Sequence, residues 1–276
     1  MRDSIVPWQP GDPVPQPTRS QEQGIDDLRE FGYTIIENAL ESDRLTAVRD
    51  RLTAQADAEI EAGIAFEDQG TEQNRTKDYD QLPEDTFTAA NGGVNQRVWM
   101  LVNKGQVFRD LVTHRFMTPL IEFLLGPQFL LSTLSANIAK PGGVQMGLHT
   151  DQWWMPRPMP RNEAPVAPGA IDRGEYYGAG NADPECLINP PCACNVMYCL
   201  NDFTELNGGT RLVPKSHLTG LQPPPDVPHT VPSIGAEAKA GSAILFEGRM
   251  WHGTGANRSN EPRLGLLATY CAPQFR

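Results

Sequence analysis

The chain has 276 residues, 39% of them hydrophobic and 21% charged, the composition of an ordinary globular domain large enough to fold without a disulfide framework. Its formal charge of −11 disfavours nucleic acid and anionic membrane surfaces as partners, because both repel a net anion. No apolar run approaches the roughly 18 residues of a membrane helix, and the N-terminus lacks the apolar segment of an export signal, so a cytoplasmic location is expected.

Residues 1–19 carry five prolines and read as an irregular arm, on the surface or disordered. The remainder, 20–276, reads as one domain. Ser20, with Gln23 and the Ile25/Leu28/Phe31 spacing, predicts a capped helix that Gly32 ends. Tyr33–Ile36 is a short β-rich run. Ser42 or Asp43 caps a second helix, whose apolar stripe is Leu45, Val48, Leu52 and Ile60. Residues 63–93 read as a long polar loop, and Val94–Val102 as a strand. Gln106–Leu125 has helical spacing up to Gly126, and His114 within it reads as a packed or solvated residue.

Beyond Gly126 come short β-like runs at Phe129–Ala139, Gln145–Trp154, Ala193–Leu200, Thr210–Val213, Ala243–Phe246 and Arg263–Tyr270, separated by Gly, Pro and Asn turns. Helices first and many strands afterwards predict a mainly β fold, an antiparallel sandwich or barrel buttressed by N-terminal helices. Five cysteines are present, four of them between Cys186 and Cys199. The spacings of Cys186, Cys192, Cys194 and Cys199 lack the paired Cys-x₂-Cys pattern of structural zinc, and buried free thiols are the better reading.

The chemistry concentrates in Gly147-Leu148-His149-Thr150-Asp151. In a strand, residues i and i+2 face the same way, so His149 and Asp151 would project together. An imidazole and a carboxylate are two parts of a facial triad that binds Fe(II) and leaves three positions open. His252, after the run Ala243–Phe246, offers the third ligand. His217 and His229 compete, but they lie in a turn and a proline-rich loop. Arg263 shares a strand face with Gly265, Leu267 and Thr269. A guanidinium there needs a counter-charge, either a bound dicarboxylate held through a bidentate pair or a neighbouring Asp or Glu.

The order His149-x-Asp151, His252, Arg263 resembles the phytanoyl-CoA dioxygenase (PhyH) family of Fe(II)/2-oxoglutarate-dependent oxygenases. The segment Asn207-Gly208-Gly209-Thr210 to Val213-Pro214-Lys215-Ser216-His217 is similar to that family too, with Lys215 where glycine is usual. So are Phe31-Gly32-Tyr33 and Ile36–Leu40. The resemblance implies a double-stranded β-helix, a cupin-like jelly roll, with Fe(II) on His149, Asp151 and His252. It also implies 2-oxoglutarate on Arg263 with Thr210, and a role for Gln145, one residue farther from the histidine than the family pattern. Turnover with O₂ would release succinate and CO₂ and oxidise a small, moderately hydrophobic molecule. Asp151 favours hydroxylation, with desaturation, epoxidation or rearrangement open. The candidate substrate contacts are Trp153, which continues the i, i+2 series from His149 and Asp151, and Tyr176 and Tyr177 in a lid-like segment 155–191. A metal-binding β-helix protein that is not an oxygenase, such as an isomerase or lyase, is the alternative.

Overall fold

The structure is a computed structural model that describes residues 6–68, 94–152, 188, 190–224 and 231–273. Helix α1 (Gln21–Phe31) begins where the Ser20 side chain accepts a hydrogen bond from the Gln23 N–H and ends at Gly32 in the left-handed region, as the sequence predicts. Strand β1 (Tyr33–Ile36) follows, then α2 (Ser42–Glu61), β2 (Phe66–Asp68), β3 (Asn95–Val98), α3 (Gln106–Val112) and α4 (Thr118–Leu125). Six strands come after them: β4 (Leu130–Ala139), β5 (Ala193–Cys199), β6 (Thr210–Leu212), β7 (Ile234–Gly235), β8 (Ala243–Glu247) and β9 (His252–Thr254). The last strand is β10 (Arg263–Cys271).

Seven strands form one sheet in the order β1-β8-β5-β10-β4-β3-β2, and three form a second in the order β7-β6-β9. All the strand pairs are antiparallel. The large sheet is buried on both faces by strict alternation. Val196, Tyr198, Leu245, Leu266 and Ala268 pack under the helices with Leu28, Val48, Leu52, Phe108 and Leu120. Met197, Cys199, Ile244 and Phe246 face the other way and pack with Phe203, Leu212 and Met250. A strand buried on both faces reads as a continuous apolar run, which is why β5 and β8 show no polar alternation in the sequence. The two layers make a jelly-roll double-stranded β-helix with the helices outside it.

Several local expectations are corrected. The predicted helix Gln106–Leu125 is two helices, because Pro119 fits only a first turn and sits at the start of α4. His114 falls in the break, where its Nε2 meets the Ala39 carbonyl at 2.8 Å. The second helix is capped by Glu41 without a side-chain bond, and Ile60 is exposed while Ala56 and Glu59 are buried. Glu59 tolerates burial because Lys104 pairs with it. The strand expected over Val94–Val102 stops at Val98, as Met100 turns to φ 58° and a 3₁₀ turn follows. Of the predicted run Gln145–Trp154, the described residues 145–152 contribute only an isolated bridge, His149 to His252. The Gln152 side chain there serves the backbone of Cys192 and Ile188.

The N-terminal arm is irregular but not superficial. Val6 and Trp8 are buried against Leu148, Val213 and Trp251, so the arm backs the two segments that carry His149 and His252. Among the described residues, no helix is long and apolar enough to cross a membrane.

Gly32 is constrained twice. It sits at φ 82°, and an added Cβ would lie 2.3 Å from Met250 Sδ and 2.5 Å from His217 Nδ1. Gly63 has φ 67° with nothing within 4 Å. Gly63→Ala should therefore cost about 1 kcal/mol from backbone strain alone. Gly32→Ala should cost roughly 3 kcal/mol or more, because overpacking adds to the strain. Urea denaturation of both variants checks the difference.

Candidate metal centre

Two backbone contacts bring the donor groups together. His149 and His252 exchange backbone hydrogen bonds of 2.9 Å each, so their rings meet with centroids 4.4 Å apart. The N–H of Asp151 donates to the Gly248 carbonyl, which turns the carboxylate back toward both rings. His149 Nε2 lies 3.8 Å from Asp151 Oδ1, and His252 Nε2 lies 3.4 Å from Oδ2. One donor atom from each residue falls within 4.8 Å of the others. The i, i+2 expectation for His149 and Asp151 thus gives the right convergence, although a turn rather than a strand produces it.

The imidazoles are held in matching ways. His149 Nδ1 faces the Gly147 carbonyl at 3.1 Å, and His252 Nδ1 faces the Met250 carbonyl at 2.9 Å. Each contact assigns the proton to Nδ1 and leaves the Nε2 lone pair toward Asp151, the tautomer a metal requires. Phe246 packs against the His252 ring at a centroid distance of 4.7 Å. Two neutral imidazole nitrogens and one carboxylate fit a divalent iron with open positions.

The electrostatics agree with that tautomer at His149 and resist it at His252. Burial is the largest influence on His149 and lowers its pKa, with His252 adding to the effect. Burial pushes Asp151 upward, but the charges and hydrogen bonds of His252, His149 and Asn195 outweigh it and hold the carboxyl well below the usual range. Burial likewise opposes charge on His252, yet Asp151 beside it raises its pKa overall.

Arg263, at the start of β10, is fully buried. Its guanidinium carbon lies 4.8 Å over the Phe203 ring. Among the described residues, none of Nε, Nη1 and Nη2 has a hydrogen-bond partner. Burial lowers its pKa to about 10. A Cβ on Gly265 would lie 2.8 Å from Arg263 Nη1, so glycine two residues on makes room for the guanidinium. Of the two sequence readings, a neighbouring Asp or Glu is absent among the described residues. An orphaned, desolvated guanidinium fits a ligand carboxylate.

The remaining sequence candidates divide. Thr210 is buried and pairs with Thr254 across β6 and β9, but among the described residues no hydrogen bond joins it to Arg263. Gln145 lines an open groove with Gly143, Asn257 and Arg258, a lining that includes none of His149, Asp151, His252 or Arg263. Trp153, Tyr176, Tyr177 and His229 lie outside the described residues. His217 is buried near Gly32 and Met250, away from the cluster. Cys192, Cys194 and Cys199 are free and buried, as expected; Cys271 is buried too, Cys186 lies outside the described residues, and burial raises the pKa values of the four described thiols.

Sequence reasoning missed Asn195 and Thr269. Asn195 Nδ2 donates to Asp151 Oδ2 at 2.5 Å, and Thr269 Oγ1 donates to Asn195 Oδ1 at 2.7 Å.

Residues 28–265 match the phytanoyl-CoA dioxygenase (PhyH) family. The chain belongs to that family. It is 40% identical to a dioxygenase of Gibberella moniliformis over 190 residues, 66% of this chain and 54% of that protein. It is 31% identical to a dioxygenase of Aspergillus fumigatus over 189 residues, 66% of this chain and 50% of that protein. A dioxygenase of Aspergillus terreus aligns over 264 residues at 28% identity, 94% of this chain and 76% of that protein. The chain therefore spans about half the length of the first two relatives. Among solved structures, the epimerase SnoN, in complex with Fe3+, alpha ketoglutarate and nogalamycin RO, matches with a TM-score of 0.60 at 19% identity, covering 91% of this chain and 83% of that one. The alpha ketoglutarate-dependent carbocyclase SnoK matches with a TM-score of 0.60 at 19% identity, covering 93% and 87%. These two share the fold of this PhyH-family chain.

A metal must displace any proton from the histidines. Because Asp151 raises the His252 pKa, divalent-metal affinity should climb as pH rises through and above the ordinary histidine value of about 6.5, then level off once His252 is neutral. The sign is opposite for stability without metal: the His252–Asp151 contribution is present at low pH and lost as pH rises past the raised pKa. Isothermal titration with Co(II) at several pH values checks the first statement, and a flat profile would contradict it.

Proposed function

We propose that this chain is an Fe(II)/2-oxoglutarate-dependent oxygenase acting on a small, moderately hydrophobic organic molecule, with hydroxylation as the reaction. The observation that carries the reading is Arg263, a fully buried guanidinium with no hydrogen-bond partner among the described residues. Membership of a family named for a dioxygenase supports it, as do relatives named dioxygenases.

His149 Nε2, His252 Nε2 and one Asp151 oxygen would hold the iron, with the other ring nitrogens occupied by the carbonyls of Gly147 and Met250. Iron, 2-oxoglutarate and O₂ together supply an oxidant, with release of succinate and CO₂. Arg263 would receive the distal carboxylate of 2-oxoglutarate in a dry setting, where a charge-assisted pair is strong. Phe203 beneath the guanidinium and Gly265 beside it fix where that carboxylate can sit. Thr210 and Gln145 remain candidates for the same co-substrate, and Trp153, Tyr176 and Tyr177 for the substrate.

A metal protein that is not an oxygenase would account for His149, Asp151 and His252 but leave Arg263 buried at a cost with nothing to offset it. Within the oxygenase reading, the outcome at carbon is open to rearrangement, since two proteins of this fold are named an epimerase and a carbocyclase.

The test is anaerobic titration of apo-protein with Fe(II) and then 2-oxoglutarate, followed through the visible metal-to-ligand charge-transfer band. The band should need both additions and should vanish in Asp151→Ala. In Arg263→Ala it should require roughly 100-fold more 2-oxoglutarate, about 3 kcal/mol of lost charged hydrogen bonding. If iron binds and 2-oxoglutarate changes nothing, the non-oxygenase reading replaces this one.

A further inference from the structure

Asn195 lies in the middle of β5, with neighbours on the same face that are apolar: Met197 and Cys199 pack into the second core cluster. A carboxamide at zero exposure is costly unless both of its polar ends are used. Both are. Nδ2 donates to Asp151 Oδ2 at 2.5 Å, and Oδ1 accepts from the Thr269 hydroxyl at 2.7 Å. Asn195 and Thr269 are direct partners in the β5–β10 ladder. The register between β10 and β4 shifts at Thr269/Tyr270, and such irregularities re-aim side chains next to functional sites.

The Asp151 carboxylate only accepts, so the NH₂ end of Asn195 must face it, and the carbonyl end is left to accept from the Thr269 hydroxyl, which holds the amide in that plane. Asp151 itself sits on a turn rather than in a ladder, with its backbone N–H anchored at Gly248. Nothing in its own local structure stops the carboxylate from rotating. The 2.5 Å contact with Asn195 does.

We propose that Asn195, buttressed by Thr269, is a positioning residue that fixes the rotation of the Asp151 carboxylate toward the metal site. The inference rests on the metal reading of His149, Asp151 and His252. Asn195 engages Oδ2, the oxygen that also lies 3.4 Å from His252 Nε2, while Oδ1 lies 3.8 Å from His149 Nε2, so the amide holds the carboxylate plane in the orientation that faces both rings. Loss of Asn195 or Thr269 therefore weakens the metal site and alters its coordination, although neither residue touches the ion.

The experiment is titration of the apo-protein with Co(II), reading affinity by calorimetry and coordination by the visible d–d bands, with apo thermal melting recorded for every variant. Wild type should bind one Co(II). Asn195→Leu keeps the volume and removes the amide; it should bind Co(II) about 10- to 100-fold more weakly, with altered bands. Thr269→Val should weaken binding several-fold, and Thr269→Ser should restore it, because serine keeps the hydroxyl. If Asn195→Leu does not fold, the Val/Ser pair at Thr269 carries the decision. Wild-type affinity and bands in Thr269→Val, or equal weakness in Thr269→Ser, would overturn the proposal while leaving the metal site intact. Failure of wild type itself to bind Co(II) would overturn both.

Discussion

The arrangement of this protein depends on one costly feature: a guanidinium taken out of water with no carboxylate among the described residues to meet it. An isolated charge in an apolar interior costs several kcal/mol even after relaxation, and a domain of this size has only about 5–15 kcal/mol of net stability. Arg263 keeps its charge all the same, since its pKa, lowered to about 10, remains far above neutrality. The fold contributes only a soft compensation, the face of Phe203 at 4.8 Å, which is worth about 2 kcal/mol when desolvated. Such a residue makes sense when a ligand completes the pair.

The metal centre shows the same division between what the chain satisfies and what it leaves open. The Nδ1 atoms of both histidines and one oxygen of Asp151 are engaged by the chain's own carbonyls and amide. The Nε2 atoms are engaged only with Asp151 across the centre, at 3.4 and 3.8 Å. Those separations leave the three donors facing a common point. Support for that point comes from the large sheet through Asn195, Thr269 and Phe246, and from the short sheet through His252. Behind them, Val6 and Trp8 of the N-terminal arm pack on Leu148 and Trp251. The site is therefore clamped between layers, and its precision derives from sheet packing as much as from the ligands themselves.

Much of this was legible in the sequence. Ser20, Gln23 and Gly32 define the first helix because capping is a local interaction, complete within a few residues. His149, Asp151, His252 and Arg263 were found because each is a rare residue type in an apolar or glycine-rich setting, and the order of all four resembles one family. Other features were not legible for physical reasons. Asn195 contacts Asp151 across 44 residues and Thr269 across 74, and nothing local in β5 marks an asparagine that will face a carboxylate. Over residues 145–152 the expected strand is not formed, and there the Gln152 side chain bonds backbone groups 36 and 40 residues away, long-range contacts that no local pattern announces. The choice between a neighbouring acid and a ligand for Arg263 could not be made from spacing, since only the packed fold shows which acids come near.

The account stands or falls on Arg263 being buried for a ligand rather than for the fold, and thermal melting of wild type and Arg263→Met separates the two. Methionine has a similar length and no charge, so the variant without ligand should melt at or above the wild-type temperature. Under anaerobic conditions with Fe(II), 2-oxoglutarate at 100 times its Kd should stabilise wild type by about 2.7 kcal/mol, a rise of about 5 °C, and should leave the variant unmoved. A variant that melts well below wild type, with 2-oxoglutarate shifting neither protein, would contradict the account and make Arg263 a structural residue.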